Sequence, residues 1–133
     1  MKKFSLLPAL MLLATGLYAE LPPRAYEDMR NNSPEYLEIK VLKVSKGLCI
    51  ACTRQSVEVE AEVLKTVRSA AGLKPGDGIL VKYSHYRPRR RWAGPRSVPI
   101  LKKGTICPAF LRQSADGKYF EPAAGGASFE PSR

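Results

Sequence analysis

Apolar and polar residues alternate along much of the chain, most strictly in residues 55–67. Apolar side chains take every second position there: Val57, Val59, Ala61 and Val63. Glutamates fill the positions between them: Glu58, Glu60 and Glu62. Because neighbouring side chains of a strand point to opposite faces, this pattern predicts a half-buried antiparallel strand with a charged outer face. A carboxylate stripe can also support acid–base catalysis, but a solvated strand face is its commoner role.

The same period recurs in shorter segments on both sides of this strand. Residues 36–46 carry Leu37, Ile39 and Val41 in alternation, with a bulge predicted before Val44. Further strands are predicted at residues 79–86, 98–101, 105–111 and 118–121. Turn residues separate them, including a glycine-rich stretch at 69–78 and an Asp-Gly hairpin turn at 116–117. A short segment at 127–129 ends the pattern.

Five to seven short strands with regularly spaced turns predict an all-β fold. We expect a small antiparallel barrel of the OB type. An immunoglobulin-like sandwich is the alternative, but the chain lacks the Cys…Trp…Cys spacing of true immunoglobulin domains, and Trp92 lies in a polar stretch.

The first 19 residues have the three parts of a secretory signal peptide. Lys2 and Lys3 precede an apolar run at 4–13, and small residues lead to Ala19, after which we expect cleavage. The run is shorter than the roughly 20 residues that span a bilayer, although an uncleaved membrane anchor is the alternative. We therefore expect a periplasmic or secreted protein. Residues 20–35 are predicted as an extended lead-in, with one helical turn around 25–30, and residues 36–133 as the barrel domain.

Three phrases between residues 63 and 111 carry a family resemblance. They are Val63-Leu64-Lys65, Gly72-Leu73-Lys74 and the stretch from Gly104 to Phe110-Leu111. This order resembles a group of uncharacterised exported bacterial proteins. More loosely, it resembles the OB-like barrel of netrin-type modules and of tissue inhibitors of metalloproteinases. The resemblance implies the fold and leaves the activity open, because those inhibitors chelate zinc through an N-terminal cysteine. Here the exported chain would begin at Glu20, and no cysteine precedes Cys49.

Cys49, Cys52 and Cys107 are an odd set for an oxidising compartment. The pair in CxxC spacing, Cys49 and Cys52, is predicted to form a local disulfide, with a bridge to Cys107 as the alternative. A redox-active CxxC opens a helix in an α/β fold, and that context is missing. A structural zinc site would need all three cysteines and His85 and is not expected. No cofactor, metal or catalytic residue is predicted, because no orienting partner for His85 is evident.

Arginine and aromatic residues are concentrated in one stretch, residues 83–96, with the sequence YSHYRPRRRWAGPR. The candidate ligand-binding residues in it are Tyr83, Tyr86, Arg87, Arg89, Arg90, Arg91, Trp92 and Arg96. Guanidinium groups bind phosphate, sulfate or carboxylate in a bidentate manner, and aromatic rings stack on bases or sugars. A solvated turn without a partner is the simpler interpretation of such a charge run.

The net charge and the export signal together define the class of partner. The formal charge is +10, and loss of Lys2 and Lys3 leaves +8. Such an excess favours acidic partners, while export makes nucleic acid an unlikely one. The sequence therefore predicts a non-enzymatic exported binding module that recognises an anionic glycan, a lipid head group or an acidic protein through this stretch. A protease or hydrolase inhibitor on a netrin-like scaffold is the alternative.

Overall fold

Five strands of the computed structural model form a closed barrel, in the order β1-β2-β3-β5-β4. The structure describes residues 21–48, 53–87 and 96–131. The strands are β1 Glu35–Lys46, β2 Arg54–Ser69, β3 Gly78–Tyr86, β4 Ile106–Gln113 and β5 Phe120–Pro122. Within these ranges, one α-helix, α1 at Pro23–Asn31, precedes the barrel, and a 3₁₀ turn at Gly125–Ala127 follows it. In the described part of the chain, no helix is long and apolar enough to cross a membrane.

Strand β1 closes the barrel because it pairs on both of its edges. It runs antiparallel to β2 along its whole length and antiparallel to β4 from Glu35 to Lys40. The predicted small all-β barrel of the OB type is confirmed. One pair departs from a purely antiparallel arrangement, since β3 and β5 meet in parallel at Val81 and Phe120. This short pairing completes the ring.

The core consists of the alternating apolar side chains that the sequence pattern identified. Residues that are at most 1% exposed include Leu37, Ile39, Val41, Val57, Val59, Ala61, Val63, Val81 and Leu111. Burial of each large aliphatic side chain contributes roughly 1.5–3 kcal/mol, so these positions dominate the stability of the barrel. The predicted bulge is confirmed as a register shift between Val41 and Lys43. The predicted turn at Asp116-Gly117 connects β4 to β5, and the Asp116 carboxylate accepts a hydrogen bond from Ser114.

The strand predicted at residues 98–101 was wrong. This segment follows the edge of β3 without joining the backbone ladder. The hydroxyl of Tyr83 donates to the carbonyl of Pro99 and accepts from the amide of Leu101, at 2.9 and 3.2 Å. Because Pro99 has no N–H to donate, side chains of β3 provide the contacts that a regular ladder would otherwise supply.

Residues 20–35 were predicted as an extended lead-in with one helical turn around 25–30, and the structure instead has the nine-residue helix α1, which includes that turn. Pro23 fits the first helical turn, where its missing N–H would be unbonded in any case. Tyr26 and Arg30, four residues apart, are the buried side chains of the helix. The guanidinium of Arg68 on β2 donates to the carbonyls of Arg30 and Ser33, and so satisfies the C-terminal end of the helix.

A buried carboxylate holds the end of the barrel at which the helix joins β1. Glu35 shares the inward phase of the β1 core residues and is 1% exposed. Its oxygens accept hydrogen bonds from the Ser69 hydroxyl at 2.6 Å and from the amides of Ala70 and Ala71 at 3.2 and 3.0 Å. The Ser69 hydroxyl in turn accepts from the amide of Leu73 at 2.9 Å. One side chain thus fixes the turn between β2 and β3.

The half-buried Cys107 of β4 carries a free thiol and lies opposite Ile39 of β1. The alternative bridge from Cys107 would require Cys49 or Cys52 as its partner, and it stays a prediction. The predicted pair, Cys49 and Cys52, lies outside the described residues. Among the described residues, no cluster of His, Cys, Asp and Glu could hold a metal ion.

We predict that Glu35→Ala lowers the free energy of unfolding by about 2–4 kcal/mol, because three donors lose a buried charged acceptor. Chemical denaturation of the purified protein measures this loss. Glu38→Ala, on the exposed face of the same strand, is the matched control and should change stability by less than about 0.5 kcal/mol. Equal losses in the two variants would show that Glu35 has no special role.

We predict that the Cys107 thiol is almost inert in the folded protein, because burial raises its pKa from 9.0 to about 11. Only the thiolate attacks an alkylating reagent. In a Cys49→Ser, Cys52→Ser variant at pH 8, iodoacetamide should therefore label native Cys107 about a hundredfold more slowly than the unfolded chain. Labelling at the same rate in both states would contradict this placement of the thiol.

Candidate functional site

The loops that follow β1 and β3 leave the same end of the barrel. Strands β1, β2 and β3 pair successively in antiparallel fashion, so the C-terminal ends of β1 and β3 and the start of β2 lie together. We name this region the arginine end and define it as residues 43–48, 53–57 and 83–87. The turns at residues 70–77 and 114–119 lie at the opposite end.

The arginine end carries positive charge and no carboxylate of its own. Its basic residues are Lys43, Lys46, Arg54 and Arg87, and its three segments contain no Asp or Glu. The nearest carboxylates lie on β2, where Glu58 pairs with Lys82 at 3.6 Å and Glu60 lies opposite Lys43. The loop from Arg87 to Arg96 adds further arginines and no acidic residue. The topology thus concentrates positive charge that is dispersed along the sequence.

Strand pairing also places Arg54 beside Tyr86, where the arginine-rich loop begins. Arg54 opens β2 and faces Tyr86, the last residue of β3. The guanidinium carbon of Arg54 lies 4.6 Å from the centroid of the Tyr86 ring, and the same group donates to the Tyr86 hydroxyl. Such stacking holds a cation in place at the surface. Tyr86 remains 40% exposed, so its ring is accessible to a ligand.

The base of the arginine-rich loop is fixed to the barrel at both of its ends. The amide of Arg87 donates to the carbonyl of Thr53 at 2.9 Å, which joins the loop to the start of β2. The amide of Tyr86 donates to the Ser97 hydroxyl at 2.7 Å, which brings the outgoing and returning chains together. Nδ1 of His85 lies 2.8 Å from the carbonyl of Val98. Since a carbonyl only accepts, this nitrogen carries the proton, and the ring anchors the returning chain.

The predicted site residues have different environments in the structure. Arg87 and Tyr86 are exposed at the arginine end. Tyr83 is instead half-buried, its ring 5.9 Å from that of Phe129, and burial raises the pKa of its hydroxyl. Arg96 forms an ion pair with Glu130 at 2.7 Å. Four predicted site residues lie outside the described residues: Arg89, Arg90, Arg91 and Trp92.

Arg96 belongs to a cluster that the sequence reasoning missed. Its guanidinium lies 4.7 Å from the ring centroid of Tyr26 in α1, and its amide donates to the Tyr26 hydroxyl at 3.0 Å. Glu130 also approaches Arg30 at 3.7 Å. These four residues border a cleft of about 260 Å³. No local signal in the sequence links them, because they come from three distant segments that meet only in the fold.

The structure places His85 and the turn carboxylate Asp77 far apart. His85 lies at the arginine end, whereas Asp77 lies in the turn between β2 and β3 at the opposite end, where it accepts from the amide of Lys74. The glutamate stripe of β2 lies between lysines of the neighbouring strands. Its cross-strand pairs are Lys40–Glu62, Lys43–Glu60 and Lys82–Glu58. These pairs fit the solvated strand face that the alternation predicted.

Comparison with models of protein families found no match to the chain, and comparisons with curated proteins and with solved structures found none either. The resemblance to netrin-type modules and metalloproteinase inhibitors therefore stays a prediction.

Proposed function

We propose that the protein is an exported, non-enzymatic module that binds an acidic partner at its arginine end. The observation that supports this most strongly is the segregation of charge: three strand ends meet there with four basic residues and no carboxylate. A surface of one sign attracts ligands of the opposite sign and accelerates their association. In the sequence, the loop between Arg87 and Arg96 carries three further arginines, Arg89, Arg90 and Arg91.

The contacts that hold both ends of the arginine-rich loop favour ligand binding over the simpler interpretation of a solvated turn without a partner. A flexible loop loses conformational entropy when a ligand orders it, and anchoring in advance reduces that loss. Here the backbone contact of Arg87 with Thr53 and the contact of Tyr86 with Ser97 fix both ends. The Arg54–Tyr86 stack adds a cation and an exposed ring beside the loop. A guanidinium next to an aromatic face is suited to sulfate, phosphate or carboxylate groups.

The remaining nearby charges do not oppose an acidic ligand. Glu58 is paired with Lys82, Glu130 is paired with Arg96, and Glu60 lies opposite Lys43 across the strands. A ligand at the arginine end therefore meets few unpaired carboxylates among the described residues. The export signal in residues 1–19 suggests that the partner is extracytoplasmic.

We predict that the triple variant R89A/R90A/R91A binds heparin at least tenfold more weakly than the parent at about 0.1 M salt. Loss of three charges should also make the plot of log Kd against log salt concentration less steep, by roughly two to three in slope. Titration calorimetry across a salt series measures both quantities. Vesicles containing phosphatidylglycerol provide the corresponding measurement for lipid head groups.

The matched control is K65A/K74A/K118A, which removes the same number of charges from exposed residues nearer the other end of the barrel. It should retain most of the parent's affinity. If the two triple variants lose affinity equally, binding follows net charge alone and the three loop arginines make no specific contribution. If neither loses affinity, the proposed function fails.

A further inference from the structure

Strand β1 extends well beyond the strand that pairs with its outer edge. Its pairing with β4 ends at Lys40, opposite Ile106. The last contacts on this side join Val41 to Thr105 and Gly104, each at 2.8 Å. Farther along, β1 pairs only with β2, as far as Lys46. In the ranges that the structure describes, residues 42–48 therefore present a free strand edge.

The alternation of an antiparallel ladder identifies the backbone groups on this edge. The amide of Gly47 donates to the carbonyl of Ser56 on β2 at 2.9 Å. Residues 43 and 45 have the same orientation as residue 47, because successive residues of a strand direct their backbone groups to opposite sides. Val44 and Lys46 consequently direct their N–H and C=O groups away from β2. An added strand could form up to four hydrogen bonds with these two residues.

A tight turn leaves this edge uncovered. The chain approaches β1 at residues 104–105, where the amide of Thr105 donates to the carbonyl of Lys102 at 3.1 Å. Gly104 has a φ of +86°, a conformation that favours glycine and turns the chain sharply. The segment preceding this turn follows β3 instead, through the contacts of Tyr83 with Pro99 and Leu101. No described segment pairs with this edge of β1 beyond Val41.

Lysines surround the free edge. Lys43 and Lys46 lie on β1, and the exposed Lys102 and Lys103 lie where the neighbouring chain turns away. The nearest carboxylates by strand register, Glu58 and Glu60, are on β2, the strand on the other side of β1. Leu42 and Leu48 are 44% and 95% exposed, which leaves apolar surface at each limit of the edge.

We propose that residues 42–48 of β1 bind an extended acidic segment of a partner protein as an added strand. This inference rests on the proposed function and specifies its partner as a polypeptide. Strand addition derives affinity from backbone hydrogen bonds, which a glycan or a lipid head group cannot supply in this pattern. Two copies of the edge would bring lysines against lysines, so charge disfavours self-association. A segment rich in Asp or Glu complements the four lysines.

The test compares two substitutions of Lys46 that remove the same charge. Lys46→Ala keeps the outward N–H, whereas Lys46→Pro removes it and leaves the hydrogen bonds to β2 in place. The probe is a ten-residue peptide of alternating Glu and Thr, and heparin serves as the anionic control. We expect Lys46→Pro to bind the peptide at least tenfold more weakly than Lys46→Ala, with equal heparin affinities for the two variants.

Hydrogen exchange of the unmodified protein gives a second result that does not depend on the folding of a proline variant. The amides of Val44 and Lys46 should exchange rapidly in the free protein and become protected when the peptide binds. Heparin should leave them unprotected. Peptide binding without protection of these two amides would overturn the proposal.

The outcomes separate this inference from the proposed function. If heparin binds at the arginine end while both Lys46 variants bind the peptide equally, the strand addition is wrong and the proposed function stands. If the peptide and heparin both fail to bind the parent protein, both proposals fail. Protection of Val44 and Lys46 by the peptide, with loss of affinity only in Lys46→Pro, supports the added strand.

Discussion

The whole barrel depends on the pairing of β1 with two neighbours at once. Its first half lies between β2 and β4, and this arrangement buries Leu37, Ile39 and Val41 from all sides. Without the pairing to β4, the ring would be an open sheet with exposed edges, which proteins generally avoid. Glu35 completes this half of the strand by fixing the turn between β2 and β3.

The same strand changes its role after the bulge that follows Val41. Among the residues that the structure describes, β2 is then its one paired neighbour, and β1 carries its backbone groups and its lysines to the arginine end. The stable core and the proposed binding surface are therefore successive parts of one strand. This arrangement holds the surface by a rigid element, which positions ligand contacts more accurately than a loop can.

The sequence predicted the parts of the fold in which local pattern and final environment agree. Val57 to Val63 alternate with glutamates because one face of β2 is buried and the other is solvated. Residues 98–101 resemble a strand equally well in sequence. In the structure, however, they contact β3 through the Tyr83 hydroxyl and not through a ladder of backbone hydrogen bonds. Helix α1 was predicted only as a single turn around residues 25–30, because most of its stability comes from the burial of Tyr26 and Arg30 and not from local propensity.

The site was predictable in composition but not in arrangement. Arg87 and Tyr86 were identified from the arginine-rich stretch, whereas Arg54 became part of the surface only through its pairing with Tyr86 across the sheet. Arg96 belongs to the same stretch, but its guanidinium forms an ion pair with Glu130. The burial of Glu35 could have been predicted from the sequence, since this residue shares the inward phase of Leu37 and Ile39. A charged residue in that phase indicates a buried polar contact.

The most direct measurement is a map of amide chemical shifts while a short heparin fragment is added to the protein. Binding at the arginine end should move the resonances of residues 43–48, 53–57 and 83–87, and leave those of the turns at 70–77 and 114–119 in place. Shifts centred on those two turns, or on α1 and Glu130, would contradict the assignment of the binding surface to the arginine end.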